Sequence, residues 1–289
     1  MNKVQRVSSL RAAVQAARKE KKSIGFVPTM GNLHEGHLEL VRVAKRRADF
    51  VVASIYVNPT QFGADEDLNN YPSTPEEDGL MLAELGADLL FLPEQETMYP
   101  GALDEQTVVY VPKLGDLYCG MDRPEHFYGV TTVVRRLFNM VQSDIAVFGN
   151  KDYRQIAIVR RMVEDLAYPT QIVGVDTVRN EQGLALSCRN GYLTKRELKV
   201  APCLQAALQT ISTGLRVYPA VQSKAVLKAL EATAKESLEA KGFIPQYLTV
   251  CRQRDLQPAK KGDTELVVLA AAQLGKARLI DNIEVFLGD

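Results

Sequence analysis

The sequence predicts an α/β fold, with a parallel sheet covered by helices on both faces over residues 1–177 and a smaller α+β region over 178–289. Three observations point to it. Short apolar runs rich in β-branched residues alternate with helical patterns through the first part, as in a sheet buried on both faces. After about Val178 the order changes to long helices followed by strands. The polar clusters that could carry chemistry fall just behind strands, where ligands bind in open parallel sheets.

The elements follow in order. Met1 to Lys22 is charged and helical in pattern, and Ile24–Val27 is a strand. The turn Pro28-Thr29-Met30-Gly31 leads into an amphipathic helix over His34–Ala48. Phe50–Val57 is a second strand, rich in β-branched residues. Pro75–Leu85 reads as a helix and Asp88–Leu92 as a strand. Val130, Val133, Val134, Leu137, Phe138 and Val141 recur at helical spacing and predict a helix over Gly129–Gln142. Ile145–Phe148 is a strand, Tyr153–Leu166 a helix and Gln171–Val175 a strand. In the second part, Thr194–Leu215 and Ser223–Lys241 read as long helices. Gln246–Cys251, Glu265–Ala271 and Arg278–Phe286 read as strands.

Composition bounds the function. The chain has 289 residues, 46% hydrophobic and 24% charged, the balance of a soluble globular protein. Lysine plus arginine equals aspartate plus glutamate at 35 each, so there is no net basic charge for a broad nucleic-acid footprint. Cys119, Cys188, Cys203 and Cys251 form no C-x-x-C pair and no disulfide-like framework, which suits reduced thiols in a cytoplasmic enzyme. The N-terminal segment lacks the apolar core of a signal peptide. No run approaches the ~18 apolar residues of a membrane span.

The most informative stretch is His34-Glu35-Gly36-His37. It holds two of the chain's three histidines. At the first turn of a helix, residues three apart share a face, and that turn offers unpaired backbone N–H groups and the positive end of the helix dipole. A strand, a glycine turn and a helix start make an anion site, and two imidazoles suit it to a polyphosphate, above all that of ATP. Two plainer readings stay open at this point. The pair could bind a metal, although zinc sites usually take three or four ligands. His37 also falls in register with Leu33, Leu40, Val41 and Ala44, as a core histidine would.

Other clusters follow the strands. Asn58 and Gln61, in Val57-Asn58-Pro59-Thr60-Gln61-Phe62-Gly63, suit a small polar ligand, though Asn-Pro is also ordinary turn chemistry. In Gly149-Asn150-Lys151-Asp152, Gly149 lets backbone approach a ligand, Lys151 can face a phosphate and Asp152 can cap a helix or hold a ribose. Gly183 through Arg189 offers a hydroxyl, Ser187, and a guanidinium fork for phosphate. A solvated charge and a surface turn are the plainer readings of these last two. His126 reads as a hydrogen-bonded structural histidine. Glu76, Glu77 and Asp78 favour a helix start, with Mg²⁺ orientation as the second reading. The P-loop, the dinucleotide G-x-G-x-x-G and the serine nucleophile elbow are all missing from the sequence.

Taken together, Val27-Pro28-Thr29-Met30-Gly31, Leu33-His34-Glu35-Gly36-His37, Val57 to Phe62, Val133 to Gln155 and Ala277-Arg278-Leu279-Ile280-Asp281-Asn282-Ile283 resemble the pantothenate synthetase family (pantoate–β-alanine ligases). The resemblance runs nearly end to end, in order and at the family's spacing. It implies a Rossmann-like nucleotidyltransferase domain with a smaller α+β lid domain, in a homodimer. It implies condensation of pantoate with β-alanine through a pantoyl adenylate, with ATP as substrate, Mg²⁺ present, and AMP and pyrophosphate released. By resemblance Met30, Gly31, Asn32, Leu33, His34, Glu35, Gly36 and His37 hold ATP, together with Gly149, Asn150, Lys151, Asp152, Val178, Leu186, Ser187, Cys188 and Arg189. His37, His34, Lys151 and Arg189 are the implied catalytic residues, with His37 usually assigned as proton donor. Gln61 and Gln155 would hold pantoate, and Gln61 would also contact β-alanine. The Mg²⁺ ligands are left open, with Asp78 as the candidate.

Several positions depart from the family pattern: Cys188 for serine, Leu186 for methionine, Asn150 for glutamate, Arg154 for glutamine, Glu125 for glycine and Ser73 for arginine. Each implied catalytic residue is present, so an active enzyme is expected. Two other readings compete. A different cytidylyl- or adenylyl-transferring enzyme would share His34 and His37 but not the Gln61/Gln155 pair. A non-catalytic nucleotide-binding protein would bind ATP without turnover. A tRNA-binding synthetase-like protein is disfavoured by the zero net charge.

Overall fold

The computed structural model describes residues 1–63, 68, 71–117, 124–217 and 223–288, except the side chains of residues 124 and 125. Cys119 and the Glu125 side chain therefore lie outside the described residues. The chain forms two compact units, one made of Met1–Asn150 and Gln155–Asp176, the other of Lys151–Arg154 and Thr177–Asp289.

The first unit contains β1 (Asn2–Val4), α1 (Val7–Lys19), β2 (Ile24–Thr29), α2 (Glu35–Arg47), β3 (Phe50–Ile55), α3 (Pro75–Glu84) and β4 (Leu89–Phe91). It continues with α4 (Gln95–Met98), α5 (Pro124–Val141), β5 (Ile145–Gly149), most of α6 (Tyr153–Asp165) and β6 (Gln171–Val175). The strands form one six-stranded sheet in the order β1-β4-β3-β2-β5-β6, with every pair parallel. The parallel α/β expectation holds. β1 is the exception: Asn2–Val4 pairs with β4 where a helical pattern is expected, and the helix starts only at Val7. Three residues, Asn2-Lys3-Val4, are too few to give a period to read.

One face of the sheet packs Val27, Val51, Ala53, Leu90, Val147 and Val173 against Leu40, Val41 and Ala44 of α2. On Phe138 of α5, the rings of Phe26 and Phe148 stand edge-to-face at 6.4 and 6.3 Å. Such burial is worth roughly 1.5–3 kcal/mol per large side chain. Gly25 permits the approach of α2, because a Cβ there would lie 2.9 Å from Cβ of Ala48.

Strand order reverses between β2 and β5, and the two strands part early. β2 stays paired to β3 as far as Thr29–Ile55, but it meets β5 only at Gly25–Ile145 and Phe26–Ala146. Pro28 has no N–H to give to a further rung. The carboxyl ends therefore diverge at the point where open sheets of this kind bind ligands.

The second unit contains α7 (Lys195–Val200), α8 (Cys203–Val217), α9 (Lys224–Glu239), β7 (Ile244–Arg252), β8 (Glu265–Leu274) and β9 (Ala277–Phe286). The strands form an antiparallel sheet in the order β7-β8-β9. Leu204, Leu208, Ile211 and Leu215 of α8 pack with Leu248, Val250, Leu266, Val268 and Val285 in one core. The single helix expected over Thr194–Leu215 is two helices. Thr194 and Glu197 form a capping box for α7, and Pro202, which lacks an N–H, separates α7 from α8. Among the described residues, no helix is long and apolar enough to cross a membrane.

Candidate active site

In the first unit, Met30–Leu33 turns the chain from β2 into α2. Gly31 (φ +87°) and Asn32 (φ +50°) are both left-handed, and a Cβ on Gly31 would lie 3.0 Å from Ile55 and 3.2 Å from Asp78. The turn is clamped from 45 residues away. Asp78 is fully buried, and its Oδ2 accepts the N–H of Asn32 at 2.8 Å while Oδ1 accepts that of Leu33 at 2.8 Å. The Thr74 hydroxyl adds a third donor at 3.1 Å. Both carboxylate oxygens are thus committed to neutral donors. Glu76 and Glu77, beside it in sequence, are exposed.

His34 is not in the helix; it is its N-cap, with φ −134° and ψ 173°. Its Nδ1 accepts the N–H of Gly36 at 3.1 Å, and its own N–H donates to Nδ1 of His37 at 3.3 Å. Histidine does here what serine and glutamate do in an ordinary capping box. The rings lie 4.1 Å apart, tilted by 37°. Two consequences follow. The amides of Asn32, Leu33, His34 and Gly36 are bonded within the chain, so the expected cradle of unpaired N–H groups is not what the motif provides. Each Nδ1 is an acceptor, so the ring proton of each neutral imidazole belongs on Nε2, assigned here from the hydrogen bonds. The motif offers imidazole N–H donors in place of backbone ones.

Gln61 ends a 3-10 turn over Pro59–Gln61. Asn58 Nδ2 donates to Gln61 Oε1 at 3.1 Å. The Gln61 carbonyl lies 2.8 Å from Nδ1 of His126, which must carry the proton because a carbonyl only accepts. His126 thus fits its structural reading, with Gln61 as its partner. α5 comes this close because residue 129 is glycine: a Cβ there would sit 2.1 Å from the Thr60 carbonyl.

His37 and Gln61, but not His34, line a pocket of about 200 Å³ at the split between β2 and β5. Its polar lining includes His37, Gln61 and Gln155, and Val130, Val133, Val134 and Leu137 of α5 form an apolar wall. Met30 lines the same pocket. Sequence reasoning missed Tyr56, Tyr71 and Phe148 in the lining and took the valines of α5 for core alone. The valine period was legible; that one side of it faces a pocket was not.

Gly149 ends β5, and a Cβ there would make only an ordinary 3.9 Å contact with Leu40, so packing does not demand glycine. Asn150 donates its N–H to the Val175 carbonyl at 2.7 Å and its Nδ2 to Asp176 at 3.3 Å. Its Oδ1 would lie 2.4 Å from a Cβ on Gly174.

The second unit gathers a cationic set. A hairpin joins Val178 to Leu186 through the Leu186 N–H at 2.9 Å, turning at Gly183 (φ +91°). Asn180 Oδ1 accepts the N–H groups of Gln182 and Leu184 at 3.1 and 2.9 Å. Ser187 then caps a short 3-10 turn over Cys188–Tyr192 by accepting the Arg189 N–H at 3.3 Å. The Lys151 carbonyl accepts from Asn282 of β9 at 2.9 Å. Burial pushes the Lys151 ammonium below its ordinary pKa; Asp152 and Asp281 pull it up, and Arg189 pushes it down further. Asp281 is held by Arg179 in a two-pronged pair at 2.6 and 2.8 Å. Cys188, which shares this electrostatic neighbourhood, is half-buried.

Set beside known proteins, residues 2–284 match the family model described as pantoate-beta-alanine ligase. The pantothenate synthetase of Pseudomonas putida is 54% identical over 287 residues, covering 99% of this chain and 98% of that protein. That of Colwellia psychrerythraea is 50% identical over 287 residues, covering 99% and 100%. The crystal structure of pantothenate synthetase from Thermus thermophilus aligns with a TM-score of 0.90 and 44% identity, over 99% of this chain and 100% of that one. The pantoate-beta-alanine ligase of Francisella tularensis, complexed with β-γ ATP and β-alanine, aligns with a TM-score of 0.79 and 30% identity, over 98% and 97%.

Proposed function

The chain belongs to the pantoate–β-alanine ligase family and joins pantoate to β-alanine with ATP, and we propose that it does so through a pantoyl adenylate. One observation carries this reading: His37 in the first turn of α2 and the Gln61/Gln155 pair open onto one pocket with an apolar wall.

In the first step a carboxylate oxygen of pantoate attacks the α-phosphorus of ATP, and the bond to the pyrophosphate oxygen breaks. In the second, the β-alanine amine attacks the acyl carbon, loses a proton, and AMP departs with the former carboxylate oxygen. The substrates bring both nucleophiles, so the protein's work is positioning and charge stabilisation. Residues 30–37 serve ATP, with the Nε2–H groups of His34 and His37 donating to its phosphates. Gln61 and Gln155 hold pantoate, Gln61 also meets β-alanine, and the valines of α5 receive pantoate's paired methyl groups. Gly149 and Asp152 lie by the ribose, and Asn150 stands beside them in the ATP set. Lys151, Ser187, Cys188 and Arg189, with Val178 and Leu186, are the second unit's contribution to ATP. Residues 178–289 then act as the lid domain that keeps the labile adenylate from water. The same reading makes the protein a cytoplasmic homodimer, which sedimentation at twice the chain mass would support and a monomer would contradict.

Mg²⁺ accompanies ATP in this reading. Asp78 does not fit as its ligand, because the carboxylate is fully buried and both its oxygens already accept hydrogen bonds from neutral donors.

The test is isotopic. Pantoate labelled with ¹⁸O in its carboxylate should deliver one labelled oxygen to AMP. Label appearing in inorganic phosphate, or none in AMP, would contradict the adenylate.

A further inference from the structure

Behind Gln61, on the side away from the pocket, lies a buried polar network that the reaction itself does not use. Asn58 is fully buried, and its carboxamide makes four hydrogen bonds. Its Nδ2 donates to the Gly129 carbonyl and to Gln61 Oε1, both at 3.1 Å. Its Oδ1 accepts from the Tyr99 hydroxyl at 2.9 Å and the Thr60 hydroxyl at 3.0 Å. The orientation of this amide follows from chemistry. A main-chain carbonyl only accepts, so the group facing Gly129 is the NH₂. The oxygen then faces the two hydroxyls, and the second N–H faces Gln61. Gln61 must answer with its own oxygen, which makes the Nε2–H₂ end the one it offers to the pocket.

Tyr99 is built to hold its place. It is 2% exposed, and the Arg136 guanidinium lies 5.1 Å over its ring. Arg136 is tied in turn to Gln106 Oε1 at 3.2 Å. Burial raises the Tyr99 phenol above its ordinary pKa, so it stays a donor at any working pH.

We propose that Tyr99 is a positioning residue for the acid substrate: with Thr60 it pins the Asn58 carboxamide, and Asn58 makes Gln61 present hydrogen-bond donors, suited to a carboxylate, into the pocket. This rests on the assignment of Gln61 to pantoate. The chain of contacts explains why an asparagine is buried behind a glutamine, with a tyrosine behind both. A carboxamide without fixed neighbours would present either end.

The experiment compares Tyr99→Phe, Thr60→Val, Gln61→Ala and Gln61→Glu, measuring KM for pantoate and for ATP separately, with thermal unfolding alongside. Tyr99→Phe should raise KM for pantoate about three- to tenfold, the loss of one buried hydrogen bond, and leave KM for ATP within about twofold. Thr60→Val should act in the same direction, and it keeps the question answerable if Tyr99→Phe fails to fold. Gln61→Glu should be worse than Gln61→Ala, because a carboxylate would then face the carboxylate of pantoate. Equal rises in both KM values, or no rise in either, would overturn the role of Tyr99. Gln61→Glu no worse than Gln61→Ala would overturn the donor orientation. If Gln61→Ala leaves KM for pantoate unchanged, the pantoate assignment itself fails; if it raises KM while Tyr99→Phe and Thr60→Val are silent, only the relay fails.

Discussion

The backbone N–H of His34 donates to Nδ1 of His37 at 3.3 Å, so the second imidazole of the motif is oriented by the helix end that the first one caps. Nδ1 of each ring is engaged in the cap as an acceptor, which leaves Nε2–H as the donor a neutral ring can offer. A neutral imidazole that donates from Nε2 stabilises phosphate charge without delivering a proton, and protonating Nδ1 would break the cap. This arrangement supports the proposal that His37 acts by charge stabilisation, where the family resemblance attaches a proton-donor role to it.

His37→Ala removes both functions. Losing one such donor should lower the adenylation rate by roughly 10²–10³-fold, and losing half the capping box should cost about 1 kcal/mol of stability. His37→Gln, which keeps an N–H near the Nε2 position, should recover part of the rate. Pre-steady-state adenylate formation and chemical denaturation read the two effects. A glutamine variant as slow as the alanine one would argue for proton transfer instead.

Asp78→Ala leaves the half-buried N–H of Asn32 and the buried N–H of Leu33 without their acceptor. The expected loss is roughly 2–4 kcal/mol of stability, about 1–3 kcal/mol for each orphaned donor discounted for local relaxation, together with a higher KM for ATP. The Mg²⁺ concentration needed for half-maximal rate should stay where it is. Normal stability with a shifted Mg²⁺ dependence would instead make Asp78 a metal ligand.

Lys151 titrates below its ordinary value in the free protein, chiefly because burial disfavours the ammonium. An ATP phosphate placed beside it favours the charged form and raises that value. At a pH between the two values, ATP binding should therefore take up a proton, and the uptake should vanish as pH falls below the lower one. Calorimetry in buffers of different ionisation enthalpy counts the protons. The same count in Lys151→Met would separate Lys151 from the phosphate.

Cys188→Ser should retain activity. The residue is half-buried at the first position of a turn that Ser187 caps, and the cap itself is made by the Ser187 hydroxyl and the Arg189 N–H. Loss of activity in the serine variant would show that the thiol has a specific task.

Much of this architecture was legible in the sequence because it is local. Strands β2, β3, β5 and β6 carry continuous apolar runs, and the helices behind them carry a clear period. The His34–His37 spacing and the Asn58–Gln61 turn sit where the strands end. What escaped was long-range or conformational. The link from Asp78 to Leu33 spans 45 residues and leaves no periodic trace. The N-cap role of His34 depends on backbone angles that sequence spacing does not set. Tyr99 reads as one more buried aromatic until Asn58 is seen beneath its hydroxyl. The break at Pro202 was readable, but the apolar period on both sides masked it.

The most direct test of the account is exchange of labelled pyrophosphate into ATP, run with Mg²⁺ and without β-alanine. Exchange should require pantoate and collapse in His37→Ala. Exchange without pantoate, or none despite measurable ATP binding, would contradict it.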